Sequence, residues 1–594
     1  MGTHLAVDTT GFSTEQKEYL AGFFAGVAQR THTPFLGVTA NGQLTNDPAS
    51  GAANLAAVQE PAVHGTPLSD LNREETWKHE QNPLDIWDKL IAHAEENRAP
   101  IAEDVFRFKY HGLFYVAPAQ DSFMLRLRIP GGILTAHQLR GLAEVTEKCG
   151  TGRADLTTRA NMQIRGFQPK DIVRVLHAVQ SLGLTSRGSG ADNIRNITIT
   201  PTSGLDPVEL YDVAPLAEAL HHYILNSRDL YELPRKFNVA FDSGGSIGTL
   251  ADTNDIGFQA ARVREGKSIS GGIYFRVLLS GITGHRQFAS DCGLLLRPEQ
   301  TVAVAAAMIR VFIAHGDRTD RKKARFKYLI DRWGVEKFIG ETEKHLAFPL
   351  MRLNAGRCEP RGAINRTAHI GVHSQKQEDL HYLGVAIPVG SLPVEQMRAV
   401  AAVAEECGSG ELRLTVWQNL LIPNIPTHRI ERALERLRDA GLDCSAGAFS
   451  RGTVACTGNR GCRYAATDTK AHAVELSQRL DSRFNIAQPV NLHVTGCPHS
   501  CAQHYVGDIG LLGTKVQGQE AYQVVIGGGA DNDQGLAREL IPSIRFSEIP
   551  PLLESLFEAY AEQRQSGETF LGFSRRHSID ELRSMMALKE AVAQ

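Results

Sequence analysis

The segment FMLRLRIPGGILTAHQLRGLAEVTEKCGTGRADLTTRANMQIRG, residues 123–166, has a second copy in HYLGVAIPVGSLPVEQMRAVAAVAEECGSGELRLTVWQNLLIPN, residues 381–424. The copies align without a gap at a constant offset of 258 residues. Identical positions in the two copies include Ile129-Pro130 and Ile387-Pro388, Gly132 and Gly390, Cys149-Gly150 and Cys407-Gly408, and Asn161 and Asn419.

Each copy predicts a strand, a turn, an amphipathic helix, a glycine turn and a second strand. FMLRLRI alternates as a strand does, LRGLAEVTEKCG has helical spacing with a glycine stop, and ADLTTRANMQIRG alternates again. The repeat therefore predicts a multi-domain α+β protein built from duplicated units that are related by a pseudo-twofold axis.

The copies differ at positions where chemistry could take place. The first copy has Arg159, Asn161, Gln163 and Arg165 at alternate positions, where the second has Trp417, Asn419, Leu421 and Pro423. Residues two apart on a strand share a face, so this pattern predicts a cationic, anion-binding face in the first copy only. Arg126 and Arg128 likewise correspond to Gly384 and Ala386. An ordinary solvated strand face is the alternative interpretation.

Four closely spaced cysteines follow the second copy of the repeat, whereas the cationic face belongs to the first copy. Cys456 and Cys462 are spaced C-x5-C, and Cys497 and Cys501 are spaced C-x3-C. Four thiolates from two loops suit an iron–sulfur cluster, whereas zinc sites favour shorter gaps within each pair. Zinc, disulfides or unrelated thiols remain alternatives. The repeat offset places Thr198 opposite Cys456, so each half is expected to supply a different part of one shared site.

Length and composition limit the other possibilities. A chain of 594 residues predicts two to four domains. The net charge of −3 gives no support to nucleic-acid binding. The first residues do not resemble a secretory signal, and no apolar stretch is long enough to predict a membrane span. Nine cysteines in a chain of this length favour a reducing, cytoplasmic location.

The cysteine motifs and the repeat together resemble the siroheme- and 4Fe–4S-containing nitrite and sulfite reductases, over roughly residues 100–590. The resemblance implies that the four cysteines hold a 4Fe–4S cluster and that Cys501 also ligates the siroheme iron. It assigns the T-T-R-x-N-x-Q-x-R segment, with Arg159, Asn161, Gln163 and Arg165, to siroheme binding. Siroheme carries eight carboxylates, and the guanidinium fork of arginine suits carboxylates well.

The resemblance also implies an anion pocket formed by Arg126, Arg195, Lys236 and Asn238. Sulfite reductases have Lys-x-Lys at the last two positions, and nitrite reductases have Lys-x-Asn. Nitrite is a monoanion and sulfite is partly a dianion, so an amide in place of a cation favours nitrite. The sequence is thus most similar to ferredoxin-dependent assimilatory nitrite reductases. The implied reaction is the six-electron reduction of nitrite to ammonia.

Three other functions remain possible at this stage. An assimilatory sulfite reductase would share every feature except the one at residue 238. The related corrin-pathway monooxygenases act on a bulky macrocycle. A non-catalytic iron–sulfur or zinc protein would not need the cationic face.

The expected units are an N-terminal extension (1–100), a first ferredoxin-like repeat (101–185), a first siroheme-binding half-domain (186–345), a second repeat (346–445) and a second half-domain with the cluster (446–594). Helices are predicted from Ser13 through Ala28 and from about residue 75 to about 98. The basic run 318–327, RTDRKKARFK, suggests either a docking site for an acidic ferredoxin or a solvated helix face. With no flavin or nicotinamide module in view, the donor is expected to be ferredoxin or flavodoxin, and the fused repeat favours a monomer.

Overall fold

The computed structural model describes residues 61–117, 119–266, 269–353, 355–366 and 369–586. The helix predicted for residues 13–28 lies outside these ranges. The first described elements are the hairpin β1 (Ala62–Val63) and β2 (Thr66–Pro67) and the helices α1 (Arg73–Glu80), α2 (Trp87–Glu95) and α3 (Ala102–Arg107). The single helix predicted near residues 75–98 is therefore wrong, because Pro83, in the short turn Pro83–Asp85, separates α1 from α2.

The two repeats have the predicted order of elements. The first contains β3 (Leu113–Val116), β4 (Ser122–Arg126), β5 (Ile133–Thr135), α4 (Ala136–Cys149), β6 (Arg153–Thr157), β7 (Asn161–Phe167) and α5 (Ile172–Ser181). The elements of the first half-domain lie between the repeats and are described below. The second repeat contains β14 (Gly371–Ser374), β15 (Leu380–Val385), β16 (Ser391–Pro393), α10 (Val394–Cys407), β17 (Glu411–Leu414), β18 (Leu420–Pro426) and α11 (Ile430–Asp439). The predicted α+β duplication is confirmed.

The repeats exchange one short strand each. The sheet of the first repeat has the order β16-β6-β7-β4-β3, and that of the second has the order β14-β15-β18-β17-β5. In both exchanges the pairing is antiparallel and has the same register, with Leu392 opposite Ala154 and Leu412 opposite Leu134. The two repeats therefore share one continuous core, which includes Leu134 and Leu392.

The helices α4 and α10 pack together across the pseudo-twofold axis with reciprocal ion pairs. Arg140 bonds Glu405, with one nitrogen–oxygen distance of 2.7 Å, and Arg398 bonds Glu147 at 2.6 and 3.0 Å. Each residue of one pair corresponds to a residue of the other at the repeat offset of 258. The predicted pseudo-twofold symmetry is confirmed at the level of side chains.

Each half-domain has a mixed sheet with helices against it. The first contains β8 (Thr198–Ile199), α6 (Ala214–Asn226), β9 (Val239–Asp242), β10 (Ile256–Val263), β11 (Gly272–Leu279), β12 (Ser290–Leu296), α7 (Thr301–His315), α8 (Phe326–Trp333), α9 (Val335–Glu343) and β13 (Met351–Arg352). The second contains β19 (Thr453–Ala455), α12 (Thr469–Arg483), β20 (Leu492–Thr495), β21 (Ile509–Val516), β22 (Gln519–Ile526), β23 (Arg538–Arg545), α13 (Ile549–Gln563), α14 (Phe570–Arg576) and α15 (Ile579–Met585).

Five strands of each sheet have the same topology. β8, β9 and β10 are parallel, and β10, β11 and β12 are antiparallel, as β19 to β23 are in the second half. The first sheet has β13 as a sixth strand at its edge. The backbone N–H of Thr200 donates to Phe241, as that of Cys456 donates to Val494. Thr200, and not Thr198 as the constant offset predicted, is thus the counterpart of Cys456, because the halves differ in loop length. No helix in the described ranges is long and apolar enough to cross a membrane.

Candidate functional site

One cavity of about 720 Å³ lies where the first repeat meets both half-domains. Its lining includes every residue that the sequence analysis assigned to the site: Arg126, Arg159, Asn161, Gln163, Arg165, Arg195, Lys236, Asn238, Cys456, Cys462, Cys497 and Cys501. The structure therefore brings together residues that are up to 375 positions apart in the chain.

Arg126 and Arg195 lie on neighbouring segments that are held by backbone contacts. Arg126 ends β4, and its guanidinium lies 4.4 Å from the ring centroid of Phe114. Arg195 donates to the carbonyls of Ser189 and Ala191, both at 2.7 Å. Burial lowers the pKa of Arg126 to about 10 and holds the pKa of Arg195 well below its usual value, and the nearby charge of Arg126 adds to the shift of Arg195.

Lys236 and Asn238 flank a buried aromatic residue, as the sequence predicted. Phe237 packs against Phe312 and Phe326 at centroid distances of 5.5 and 5.2 Å. Its neighbours Lys236 and Asn238 consequently both face the cavity. The backbone N–H of Asn238 donates to Asp255 at 2.8 Å. Burial, with nearby Arg325 as the next cause, lowers the pKa of Lys236 to about 7.

Arg159 lies in the turn before β7 and not on the strand, which corrects the predicted single strand face. Ala160 has a positive φ of 45°, so the chain turns between Arg159 and Asn161. The Arg159 guanidinium still points into the cavity and donates to the carbonyls of Asn196 at 2.8 Å and Val239 at 3.2 Å. The residue thereby connects the first repeat to the first half-domain. Burial lowers its pKa to about 10.

The three β7 residues have different contacts. Asn161 donates to the Leu127 carbonyl at 2.5 Å, and Gln163 accepts a bond of 2.5 Å from Arg165. Arg165 also bonds Asp155 at 2.7 Å and the Thr457 hydroxyl at 2.8 Å. Arg165 therefore links the first repeat to the loop that carries Cys456 and Cys462.

The four predicted cysteine ligands line the same cavity from two loops. Burial raises the pKa of the Cys497 thiol to about 12, and the charges of Cys456, Cys462 and Cys501 add to the shift. Among the described residues, however, no set of three or more His, Cys, Asp or Glu side chains is arranged to hold a single metal ion. A 4Fe–4S cluster takes four cysteine ligands, which is the number that these two loops supply.

The cavity is also lined by cations that were not expected there from the sequence. Arg321 and Arg325, from the basic run 318–327, line it and bond the buried carboxylates of Asp192 and Asp255. Arg318 is buried as well. The run is thus neither a solvated helix face nor wholly free for docking. The spacing of its arginines and the presence of Asp192 in GADNIRN were the sequence features that could have indicated these buried ion pairs.

The charge balance of the cavity fits a polyanionic group. Its lining has twelve lysines and arginines but a single carboxylate, that of Asp155. In the described ranges no carboxylate lies within salt-bridge distance of Arg126, Arg159, Arg195 or Lys236, and the buried Nε atom of Arg159 has no hydrogen-bond partner. Buried cations require compensating negative charge, which carboxylates of siroheme and a small anion would provide.

The corresponding region of the second half is closed. Asn491 there has the same backbone bond to Asp508 that Asn238 has to Asp255. At the offset of 253 residues that relates Asn238 to Asn491, Gly248 corresponds to Cys501, and the Asp531 carboxylate fills the space that a Cβ atom on Gly248 would need. Trp417, the counterpart of Arg159, stacks on His369, and a cavity of only about 50 Å³ remains. In the part of the chain that the structure describes, the two related regions therefore differ, with a large cavity in one and a small cavity in the other.

Comparison with known families identifies the class of protein. The nitrite and sulphite reductase 4Fe–4S domain matches residues 190–350 and 446–590, and the nitrite/sulfite reductase ferredoxin-like half domain matches residues 116–182 and 373–440. The chain belongs to the nitrite and sulfite reductase family. This membership confirms the expected siroheme and 4Fe–4S cofactors and the enzymatic, oxidoreductase character of the chain.

Individual relatives cover most of the chain. It is 33% identical over 512 residues to the ferredoxin–nitrite reductase of Synechococcus elongatus, a match that covers 84% of this chain and 98% of the relative. It is 35% identical over 504 residues to that of Leptolyngbya laminosa, covering 82% and 96%. The solved structure of the NirA protein of Mycobacterium tuberculosis is similar with a TM-score of 0.79 and 26% identity, covering 86% and 98%.

Proposed function

We propose that this protein reduces nitrite to ammonia with six electrons from reduced ferredoxin. The observation that carries the proposal is the pairing of Lys236 with Asn238 on the wall of a strongly cationic cavity. An amide at residue 238 donates a hydrogen bond without adding a charge, which suits a monoanion. The names of the two cyanobacterial relatives support the same substrate and donor.

The proposed anion-binding residues are Arg126, Arg195, Lys236 and Asn238. Arg126 and Arg195 are fixed by Phe114 and by backbone carbonyls, so their charges are oriented before an anion arrives. Lys236, with a pKa lowered to about 7, holds a proton on Nζ that it can release near neutral pH. We assign it both anion binding and proton donation.

The proposed cofactor-binding residues come from two sides of the cavity, the cysteine loops and the first repeat. Cys456, Cys462, Cys497 and Cys501 would hold the 4Fe–4S cluster, with Cys501 also on the siroheme iron. Arg159, Asn161, Gln163 and Arg165 would contact or support the siroheme carboxylates. When bound, the two cofactors supply electrons one at a time at the anion site.

We also propose the following organisation of the chain. Its units are 1–100, 101–185, 186–345, 346–445 and 446–594, although β13 (Met351–Arg352), at the start of the fourth unit, pairs with the sheet of the third. The internal pseudo-twofold axis makes a monomer sufficient. All nine cysteines are free, which supports a reducing, cytoplasmic compartment. Flavodoxin is a second acidic donor to be tested beside ferredoxin.

The test is steady-state reduction of nitrite and of sulfite by the purified holoprotein with a reduced viologen dye. We expect kcat/KM for nitrite to exceed that for sulfite by about 100-fold or more, equivalent to about 3 kcal/mol. A preference for sulfite would overturn the proposed substrate and assign the same site to sulfur assimilation.

A further inference from the structure

Helix α1, which lies outside both repeats, carries a buried group of charges. Glu75 on α1 is 2% exposed and Arg318 is 2% exposed. The Arg318 Nη1 atom lies 2.6 Å from Glu75 Oε2, and Lys78 Nζ lies 2.5 Å from Glu75 Oε1. Such a pair is costly to bury, and removal of one partner leaves an uncompensated charge.

The same group holds the segment that leads to Lys236. Arg318 Nη2 donates to the carbonyl of Glu232 at 2.8 Å, and Lys78 Nζ donates to that of Leu233 at 2.8 Å. These carbonyls precede Lys236 by only four and three residues. The anchored backbone therefore limits how far Lys236 can move in the cavity.

The group also holds the start of the basic run. The side chain and the backbone N–H of Asn72, the N-cap of α1, donate to the Arg318 carbonyl at 2.7 and 2.9 Å. Three residues further along, Arg321 bonds the buried Asp192 carboxylate and approaches Glu74 on α1 at 3.6 Å. Helix α1 and its N-cap therefore connect the segment that leads to Lys236 with the segment that leads from Arg318 to Arg321.

We infer that the buried group formed by Glu75, Lys78 and Arg318 positions Lys236 and Arg321 for anion binding. Cations that line one cavity repel each other, so the segments that carry them need an anchor that does not depend on the bound anion. The group provides it from outside the cavity, and Glu75, Lys78 and Arg318 are positioning residues without contact to the substrate. This inference rests on the proposed nitrite reduction and extends it to the segment before the first repeat.

The experiment uses the full-length holoenzyme with the substitution Glu75→Gln. Loss of the anchor should raise KM for nitrite, and the nitrite Kd from a Soret titration, by about tenfold, while kcat changes by less than about threefold. Siroheme and cluster content are measured in each preparation to exclude loss of cofactor. Glu80→Gln is the matched control, since Glu80 lies on the same helix, is exposed and should leave KM unchanged.

Three outcomes are decisive. If wild-type enzyme reduces nitrite and Glu75→Gln lowers only thermal stability, with KM and Kd unchanged, the pair is merely structural and the inference fails. If Glu75→Gln does not fold, Lys78→Met replaces it, because that variant keeps the Glu75–Arg318 pair and removes the bonds of Lys78 to Glu75 and to the Leu233 carbonyl. An unchanged KM in Lys78→Met then overturns the inference as well. Failure of the wild-type enzyme to reduce nitrite refutes the proposed function instead.

Discussion

The backbone and the side chain of Asn238 have separate roles. The backbone N–H bonds Asp255 and the carbonyl accepts from Ile256, so the main chain is fixed by the sheet. The side chain lines the cavity beside Lys236. A substitution there changes the charge of the cavity while leaving these backbone bonds available.

The substitution Asn238→Lys should shift the substrate preference toward sulfite. A second ammonium group favours the more highly charged anion, so we expect the ratio of sulfite to nitrite kcat/KM to rise by about 10- to 100-fold. Parallel steady-state kinetics measure the ratio. Asn238→Gln, which keeps an uncharged amide, is the control. Equal ratios in Asn238→Lys and the wild type would contradict the role of residue 238.

At the scale of elements, the exchanged strands β5 and β16 unite the repeats. Each is only three residues long, and each completes the sheet of the other repeat. Leu134 and Leu392 on these strands are buried to 1% and 0% exposure. Neither repeat can therefore have its complete sheet without the other.

The substitution Leu392→Ala should destabilise both repeats together. We expect a loss of about 2–5 kcal/mol in the free energy of unfolding, from lost burial and the cavity that remains. Urea unfolding should show the same transition by tryptophan fluorescence and by circular dichroism. Leu134→Ala, the symmetry-related substitution, should have a similar effect. Separate transitions for the two repeats would show that the exchange does not couple them.

The sequence predicted the repeated strands and helices better than it predicted which strands pair with one another. The repeat offset located β4, α4, β6 and β7 and their counterparts, because hydrophobic periodicity is a local property. The exchange of β5 with β16 has no local signal, since Leu134 pairs with Leu412 and Leu392 with Ala154, which are 278 and 238 residues away in the chain. The turn at Ala160 and the inward direction of Arg321 and Arg325 likewise depend on tertiary contacts. Motif residues such as Arg126 and Asn238 could be located because the resemblance supplied their neighbours.

At the scale of the whole molecule, buried histidines in the second half relate stability to pH. Burial lowers the pKa of His369 to about 4 and that of His493 to about 4. Both side chains remain neutral in the folded state at pH 5, whereas an unfolded histidine titrates near 6.5. Their contribution to stability is present above about pH 6.5 and is lost as the pH falls toward 4.

The substitution His369→Gln should therefore reduce the acid sensitivity of the enzyme. Each such histidine lowers the free energy of unfolding by about 2 kcal/mol between pH 7.5 and pH 5, and removal of His369 should remove that share. Urea unfolding at the two pH values measures it. His79→Gln, at an exposed position, is the control. An unchanged pH dependence in His369→Gln would mean that this imidazole is not held neutral.

The charge balance of the large cavity also bears on how the enzyme matures. Folding without a polyanion would gather many like charges in one buried space at a cost in free energy. A ligand that binds only the folded chain shifts the folding equilibrium toward it. Siroheme would then act as a late assembly partner whose carboxylates complete the interior, so that cells short of the macrocycle would accumulate a chain more open to chaperones and proteases.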